Sequence, residues 1–288
     1  MWSAGLCYNY GMNNKYGILA YPAKHSLSPT MHNAAFKNLG IDAEYGIFEI
    51  SESGLGEFMK NARKNIAGLS VSLPYKERVL KFMDFVDENA KKIGAVNTIK
   101  IEEGRLFGYN TDFIGAVKAL KEGAGRLGGK HVVVVGAGGA SRAVIYGLLA
   151  EKAVVTILNR HIEKAKEIAD DFHYIFNTEV KFLPLDKKME IEKSDILIQA
   201  TSIWTLNSVV NEEELEGLFP DEFVNKFDTV MDVSYSPLIT PLLEKAQKLE
   251  KKTITGDRML LFQAAEQFKI FTGKEAPIEV MASASTRS

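Results

Sequence analysis

Cysteine is nearly absent from this sequence. Cys7 stands alone in 288 residues, which excludes a disulfide framework and a multi-cysteine metal site and fits a reducing, cytoplasmic compartment. Proline is scarce too, with 8 residues beside a hydrophobic fraction of 46%, so the chain is neither disordered nor fibrous. Neither sign of charge prevails: 35 Lys and Arg face 37 Asp and Glu, for a net charge of −2. No long-range field therefore draws the molecule to nucleic acid or an anionic membrane, and any anion must be held locally. No apolar run approaches the ~18 residues of a membrane span, and no spacing of His, Cys and carboxylates points to a metal. The stretch from Met1 to Asn14 has no charged residue and lacks the basic start and apolar middle of a signal peptide. It reads as a loose tail, with Met12 as an alternative start.

What is present is an alternation. Short apolar runs at Tyr16 to Tyr21, Glu44 to Ile50 and Gly68 to Leu73 read as strands, and the spacing of Met31, Ala34, Ala35 and Leu39 and of residues 55 to 63 reads as helices between them. This order favours a mostly parallel sheet covered by helices. Val96 to Ile101 and Arg105 to Tyr109 flank Glu102-Glu103-Gly104, the signal of a local hairpin. Asp112 is placed to cap a helix, after which glycines 123, 125, 128 and 129 break the chain near a domain boundary. From His131 the rhythm restarts, with strands near 131–135, 154–158, 195–199 and 229–233 and helices at 140–151 and on to about 172, the order of a dinucleotide-binding fold. Thr240 with Pro241 opens a later helix. The last one expected runs from Asp257 to Phe271, with Gly273 as its stop and Gln263 and Gln267 four apart on one side. Phe262, Phe268 and Phe271 read as packing residues, and His32, His131 and His173 as structural or peripheral.

A fully apolar strand runs directly into Gly136-Ala137-Gly138-Gly139-Ala140, which opens a helix. Glycines let the backbone approach a pyrophosphate while unpaired N–H groups at the helix start point toward it. Ser141 replaces the third glycine of the usual fingerprint and is small enough for close packing. At the end of the next strand an NAD site carries an Asp or Glu, but this chain has Asn159 and Arg160, with His161 beside them and Lys164 a turn further on. A guanidinium grips a 2′-phosphate that a carboxylate would repel, so NADP(H) is the expected cofactor.

Four polar segments fall at or just after the strand-like runs of the other half: 25–29 with Ser26 and Ser28, 70–76 with Ser72 and Lys76, 94–98 with Asn97, and 108–112 with Asp112. Open α/β sheets place ligand crevices there. Hydroxyls, amides, one lysine and one carboxylate suit a small polyhydroxylated acid.

Together these segments resemble shikimate dehydrogenases across residues 16 to 280, in the right order. The resemblance takes in the serine-x-serine-proline motif, the lysine after a proline, the Gly-Ala-Val-Asn-Thr and Asn-Thr-Asp blocks, the glycine turn, Asn159-Arg160, Asp232 to Pro237 with Tyr235, and Met259-Leu260 leading to Gln263. It implies reversible reduction of the 3-keto group of 3-dehydroshikimate by NADPH, giving shikimate on the way to aromatic amino acids. By the same resemblance Lys76 and Asp112 are the catalytic pair. Ser26 and Ser28 hold the substrate carboxylate, and Ser72, Asn97, Tyr235 and Gln263 surround the ring hydroxyls. Thr201 and Gly256 join the coenzyme-binding set. The implied architecture is a substrate-binding catalytic domain of residues 1–111 and 258–288 and a Rossmann-type NADP-binding domain of residues 112–257, with a cleft between them. The partners are small molecules, and a homodimer stays open. Hydride delivery to a ketone builds negative charge on oxygen, which a positioned proton donor must neutralise. The residues leave open which member of the pair transfers that proton.

The chain departs from the family pattern at Ser70 and Ser72, where asparagine and threonine are usual, at Trp204 and Ala264, where glycine is usual, and at His161, which replaces a threonine. Two other readings share the fold: an NAD-dependent quinate or shikimate dehydrogenase, and a non-catalytic NADP-binding regulatory homologue. A methylene-tetrahydrofolate dehydrogenase would need a tyrosine-x-x-x-lysine helix pattern that Pro74-Tyr75-Lys76 does not supply.

Overall fold

The structure is a computed structural model that describes residues 14–23, 26–203 and 211–285. The N-terminal tail up to residue 13, His25 and Trp204 lie outside the described residues. Two six-stranded sheets carry the chain. The first holds β1 (Lys15–Ala20), β2 (Glu44–Glu49), β3 (Gly68–Val71), β4 (Phe85–Val86), β5 (Thr98–Glu102) and β6 (Arg105–Tyr109) in the order β2-β1-β3-β5-β6-β4. Its β2-β1-β3 and β4-β6 pairings are parallel, and the expected hairpin of β5 and β6 supplies the antiparallel ones.

The second sheet is parallel throughout. It comprises β7 (His131–Val135), β8 (Val154–Asn159), β9 (Lys181–Pro184), β10 (Ser194–Gln199), β11 (Phe227–Asp232) and β12 (Lys252–Ile254), in the order β12-β11-β10-β7-β8-β9. Strand order reverses between β7 and β10, the point at which doubly wound sheets open a ligand crevice. All of Val132 to Val135 are buried because helices cover both faces, which is why this strand reads as a continuous apolar run.

The helices are α1 (Ser28–Asn38), α2 (Leu55–Asn65), α3 (Glu88–Ile93), α4 (Asp112–Ala124), α5 (Gly139–Ala150), α6 (Ile162–Phe176), α7 (Glu212–Leu218), α8 (Asp221–Val224), α9 (Pro241–Lys248), α10 (Gly256–Thr272) and α11 (Ile278–Ser285). One core packs α4, α5 and α6 on the second sheet, and another, through Phe223, Phe227 and Leu242, fills its opposite face. On the first sheet, Met59, Leu69, Val79 and Ile99 form one core and Met31, Phe36, Leu261 and Phe268 the other. The C-terminal part of the chain thus returns to the first sheet, and α10 packs along α4. Thr240 caps α9 as expected, accepting from Leu243 N, and α10 stops at Gly273 in the left-handed region. Two expectations need correction. The helix from 256 to 272 is followed by α11, a short helix whose Met281 seals the first unit's core. Asp112 is the first residue of α4 rather than its cap: Thr111 holds the cap position, and the Asp112 carboxylate turns to side-chain partners.

Candidate active site

The Lys76 ammonium donates to Asp112 Oδ2 at 2.6 Å, with side chains 14% and 6% exposed. Strand ends and a helix start bring the two together, since Lys76 follows β3 and Asp112 follows β6 at the opening of α4. The second carboxylate oxygen, Oδ1, accepts from Asn97 Nδ2 at 2.8 Å. Asn97 is fixed in turn: its Oδ1 accepts from Thr111 N at 2.7 Å and from Thr98 Oγ1 at 2.8 Å, and its Nδ2 also reaches Thr111 Oγ1 at 2.9 Å and Gln263 Oε1 at 3.2 Å. Reversing the amide would set its oxygen against a carboxylate and its nitrogen against an N–H donor, so this orientation is forced. Asn110 completes the corner, donating to Ala95 O at 2.9 Å and accepting from Asp112 N at 3.0 Å.

The hydroxyl residues connect chiefly to one another. Ser28 is buried and its N–H donates to Ser26 Oγ at 3.3 Å. Burial pushes the Tyr235 phenol up, with a hydrogen bond from Ser26 pulling the other way. Tyr235 follows β11 of the second sheet and Ser26 precedes α1, so this contact spans the two units. Burial also raises the Tyr45 phenol, against hydrogen bonds with Ser70 and Ser28. Ser72 stands half-exposed just past β3, its N–H bonded to Leu19 O at 2.9 Å.

The glycine turn comes directly against the Lys76 and Ala95 segments. A Cβ placed on Gly139 would lie 3.2 Å from Lys76 Cβ and 3.6 Å from Ala95 Cβ. Gly136 has φ +122°, and a Cβ there would meet Ser141 Oγ at 2.8 Å, so glycine is demanded twice over. A Cβ on Gly138 would meet only open space, and no side chain caps the start of α5. Uncapped N–H groups facing room in front of a buried apolar strand are what a pyrophosphate requires, so the turn of residues 136–140 fits a dinucleotide.

At the end of β8, Asn159 Nδ2 donates to His161 O at 2.8 Å and shapes the turn, while Arg160, His161 and Lys164 are exposed. None of those three forms an ion pair with a described residue. Thr201 lies past β10, its N–H and hydroxyl both engaged by the Gln199 amide at 2.9 and 2.8 Å. Gly256 has a packing reason to be glycine, because a Cβ would fall 2.4 Å from Ser234 O. No group of metal-ligating side chains occurs among the described residues, and no described helix is long and apolar enough to cross a membrane.

Three side chains at or near this centre have no role that the sequence assigns. Tyr45 is buried in a strand that looks like ordinary core, Gln267 reads as a polar helix face, and Arg142 donates from α5 across to Ile93 O at 2.6 Å. The four-residue spacing of Gln263 and Gln267 was the one available signal.

Two α/β units, one with a phosphate-ready glycine turn and the other with a lysine that reaches across to an aspartate beside that turn, define a two-domain protein of the dinucleotide-binding class. Family models for the shikimate dehydrogenase substrate binding domain, shikimate/quinate 5-dehydrogenase and the shikimate 5′-dehydrogenase C-terminal domain match residues 18–99, 118–255 and 258–284. The chain is 43% identical to a shikimate dehydrogenase (NADP(+)) of Methanocaldococcus jannaschii, over 93% of this chain and 94% of the relative. It resembles a crystal structure of shikimate dehydrogenase in complex with NADP+, with a TM-score of 0.86 and 40% identity over 95% of each chain. A shikimate 5-dehydrogenase from Thermus thermophilus in complex with NADP(H) and shikimate gives a TM-score of 0.79 and 34% identity, covering 95% of this chain and 98% of that one. The chain belongs to the shikimate dehydrogenase family.

Proposed function

We propose that the protein catalyses the reversible NADPH-dependent reduction of 3-dehydroshikimate to shikimate, a step toward aromatic amino acids, in the cytoplasm. The observation that carries this reading is the Lys76–Asp112 pair, held at 2.6 Å and set against the Gly139 end of the glycine turn. Residues 1–111 with 258–288 form the substrate half and 112–257 the coenzyme half, a division supported by the membership of the two sheets.

Residues 136–140 hold the pyrophosphate, Arg160 with Lys164 and His161 the 2′-phosphate, Asn159 the turn that presents them, and Thr201 and Gly256 border the nicotinamide end. Bound NADPH supplies the hydride. Ser26 and Ser28 share the substrate carboxylate through neutral donors, while Ser72, Asn97, Asp112, Tyr235 and Gln263 fix the ring hydroxyls. As the hydride reaches the keto carbon, charge grows on its oxygen and Lys76 Nζ delivers the neutralising proton. Both Asp112 oxygens accept hydrogen bonds, so this carboxylate acts as the orienting base and the ammonium as the acid. Every residue used comes from one chain, so a homodimer is compatible with the reading without being part of it.

The test is the absorbance change on oxidising shikimate with NADP and, separately, NAD, with quinate in parallel. Turnover restricted to shikimate and NADP supports the reading. Equal rates with NAD or quinate would replace it by the broader dehydrogenase, and tight NADPH binding without turnover by a regulatory homologue.

A further inference from the structure

α10 grips Asn97 with two glutamines one helical turn apart. Gln263 Oε1 accepts from the Asn97 side chain at 3.2 Å, and Gln267 Nε2 donates to the Asn97 main-chain oxygen at 3.0 Å. Behind Gln267 runs a buried chain of hydroxyls: Tyr45 Oη donates to Ser70 Oγ at 2.6 Å, and Ser70 Oγ donates to Gln267 Oε1 at 2.7 Å. Its polarity is fixed from one end. A carbonyl only accepts, so Ser70 must give its proton to Gln267, and Tyr45 must then give its proton to Ser70. The Tyr45 ring is itself clamped, stacked on His32 at 4.4 Å between centroids and 4° between planes. Ser70, Gln267, Tyr45 and Asn97 are all buried, where a polar group left unpaired is costly and a complete network is rigid. The chain ends on the residue whose amide holds Asp112 Oδ1 at 2.8 Å.

We propose that Gln267 and Ser70 are positioning residues of the reaction, holding the Asn97 main chain so that its amide presents Asp112 to Lys76, with Tyr45 as the outer anchor of the same chain. The inference rests on the dehydrogenase reading and concerns residues that touch neither substrate nor coenzyme in it.

The test compares Gln267→Leu, Ser70→Ala and Tyr45→Phe, alone and combined, in shikimate oxidation with NADP, with NADPH affinity followed separately by fluorescence. We expect kcat to fall by about tenfold for Gln267→Leu, less for Ser70→Ala and least for Tyr45→Phe, the order of their distance from Asn97. NADPH affinity should hold within about twofold, and the double variant of Gln267 and Ser70 should be no slower than Gln267→Leu alone, because both break one chain. Unchanged kcat, additive losses, or a parallel loss of NADPH affinity would overturn the inference. If Gln267→Leu does not fold, Ser70→Ala, which removes a single oxygen, carries the same test: a lowered kcat with intact NADPH binding supports the chain, and unaltered kcat refutes it. Wild-type turnover is measured first. Its absence would strike the substrate reading alone, and a crystal structure of Ser70→Ala would then decide the positioning role: a displaced Gln267 and a lengthened Asn97–Asp112 contact support it, and an unmoved contact overturns it.

Discussion

A single side chain decides each half of the proposed chemistry. Lys76→Ala removes the proton donor, so kcat should fall by roughly 10²–10⁴ while NADPH binding, measured by fluorescence, stays unchanged. Arg160 is exposed with no ion-pair partner among the described residues, so Arg160→Ala should raise the KM for NADP by about tenfold or more and leave that for NAD in place. An unaltered ratio between the two coenzymes would refute the assignment. His32 gives a prediction of another kind. It is fully buried, and burial lowers its pKa to about 3 against a weaker upward pull from a hydrogen bond with Gln267. The unfolded chain takes up this proton near pH 6.5 and the folded one only near 3, so stability present above 6.5 is lost as pH falls through that window. The loss amounts to as much as about 1.4 kcal/mol per pH unit. A His32→Phe variant should show a shallower acid slope in denaturant melts between those values, whatever its stability at pH 7.

Between elements, the decisive contact joins α3 to α5. Arg142 Nε donates to Ile93 O at 2.6 Å, its Nη2 pairs with Asp171 at 2.5 Å, and its guanidinium lies over Phe172. Tyr146 Oη, a turn along α5, donates to Asn89 Oδ1 at 2.8 Å. Gly94, which ends α3 at φ +73°, makes room for this docking: a Cβ there would lie 3.2 Å from the Arg142 guanidinium. Gly94→Ala should therefore cost about 1–2 kcal/mol from backbone strain and lower Tm by roughly 2–6 °C. Elements differ in how far the sequence announces them. β7, β8, β10 and β11 are buried on both faces and declare themselves as apolar runs, whereas β9 and β12 are sheet edges, where Lys181, Pro184 and Lys252 are tolerated and the pattern disappears. β4 has two residues and α3 six, too few for any period to show. Lys76, Asn97, Asp112 and Gln263 are legible because polar residues at strand ends or on an apolar helix stand out. Tyr45 is not, and Ser70 shows only as a motif position without its role, because their partners are set by tertiary packing between β2, β3 and α10, which no local spacing encodes.

For the whole molecule, α4 and α10 are the coupling. α4 packs on α5 of the coenzyme half and on α10, which is anchored to the first sheet through Asn97 and Ser70. The two halves should then melt together. With NADP at a hundredfold excess over its Kd, stability should rise by about 2.7 kcal/mol and one cooperative transition should move upward as a whole. Two calorimetric peaks, only one of them displaced by NADP, would show the halves to be independent.

The place of α10 in the chain has a consequence for how the protein is made. This helix emerges from the ribosome after every strand of the described residues, yet Leu261, Ala264 and Phe268 complete the core against α1 and β1, translated some two hundred residues earlier. During synthesis the coenzyme-binding unit can close on itself first, while the opening strands wait with an unsealed apolar face. A translational pause before residue 256 would leave a nascent polypeptide able to capture a nucleotide but exposed to chaperones and proteases at its other end.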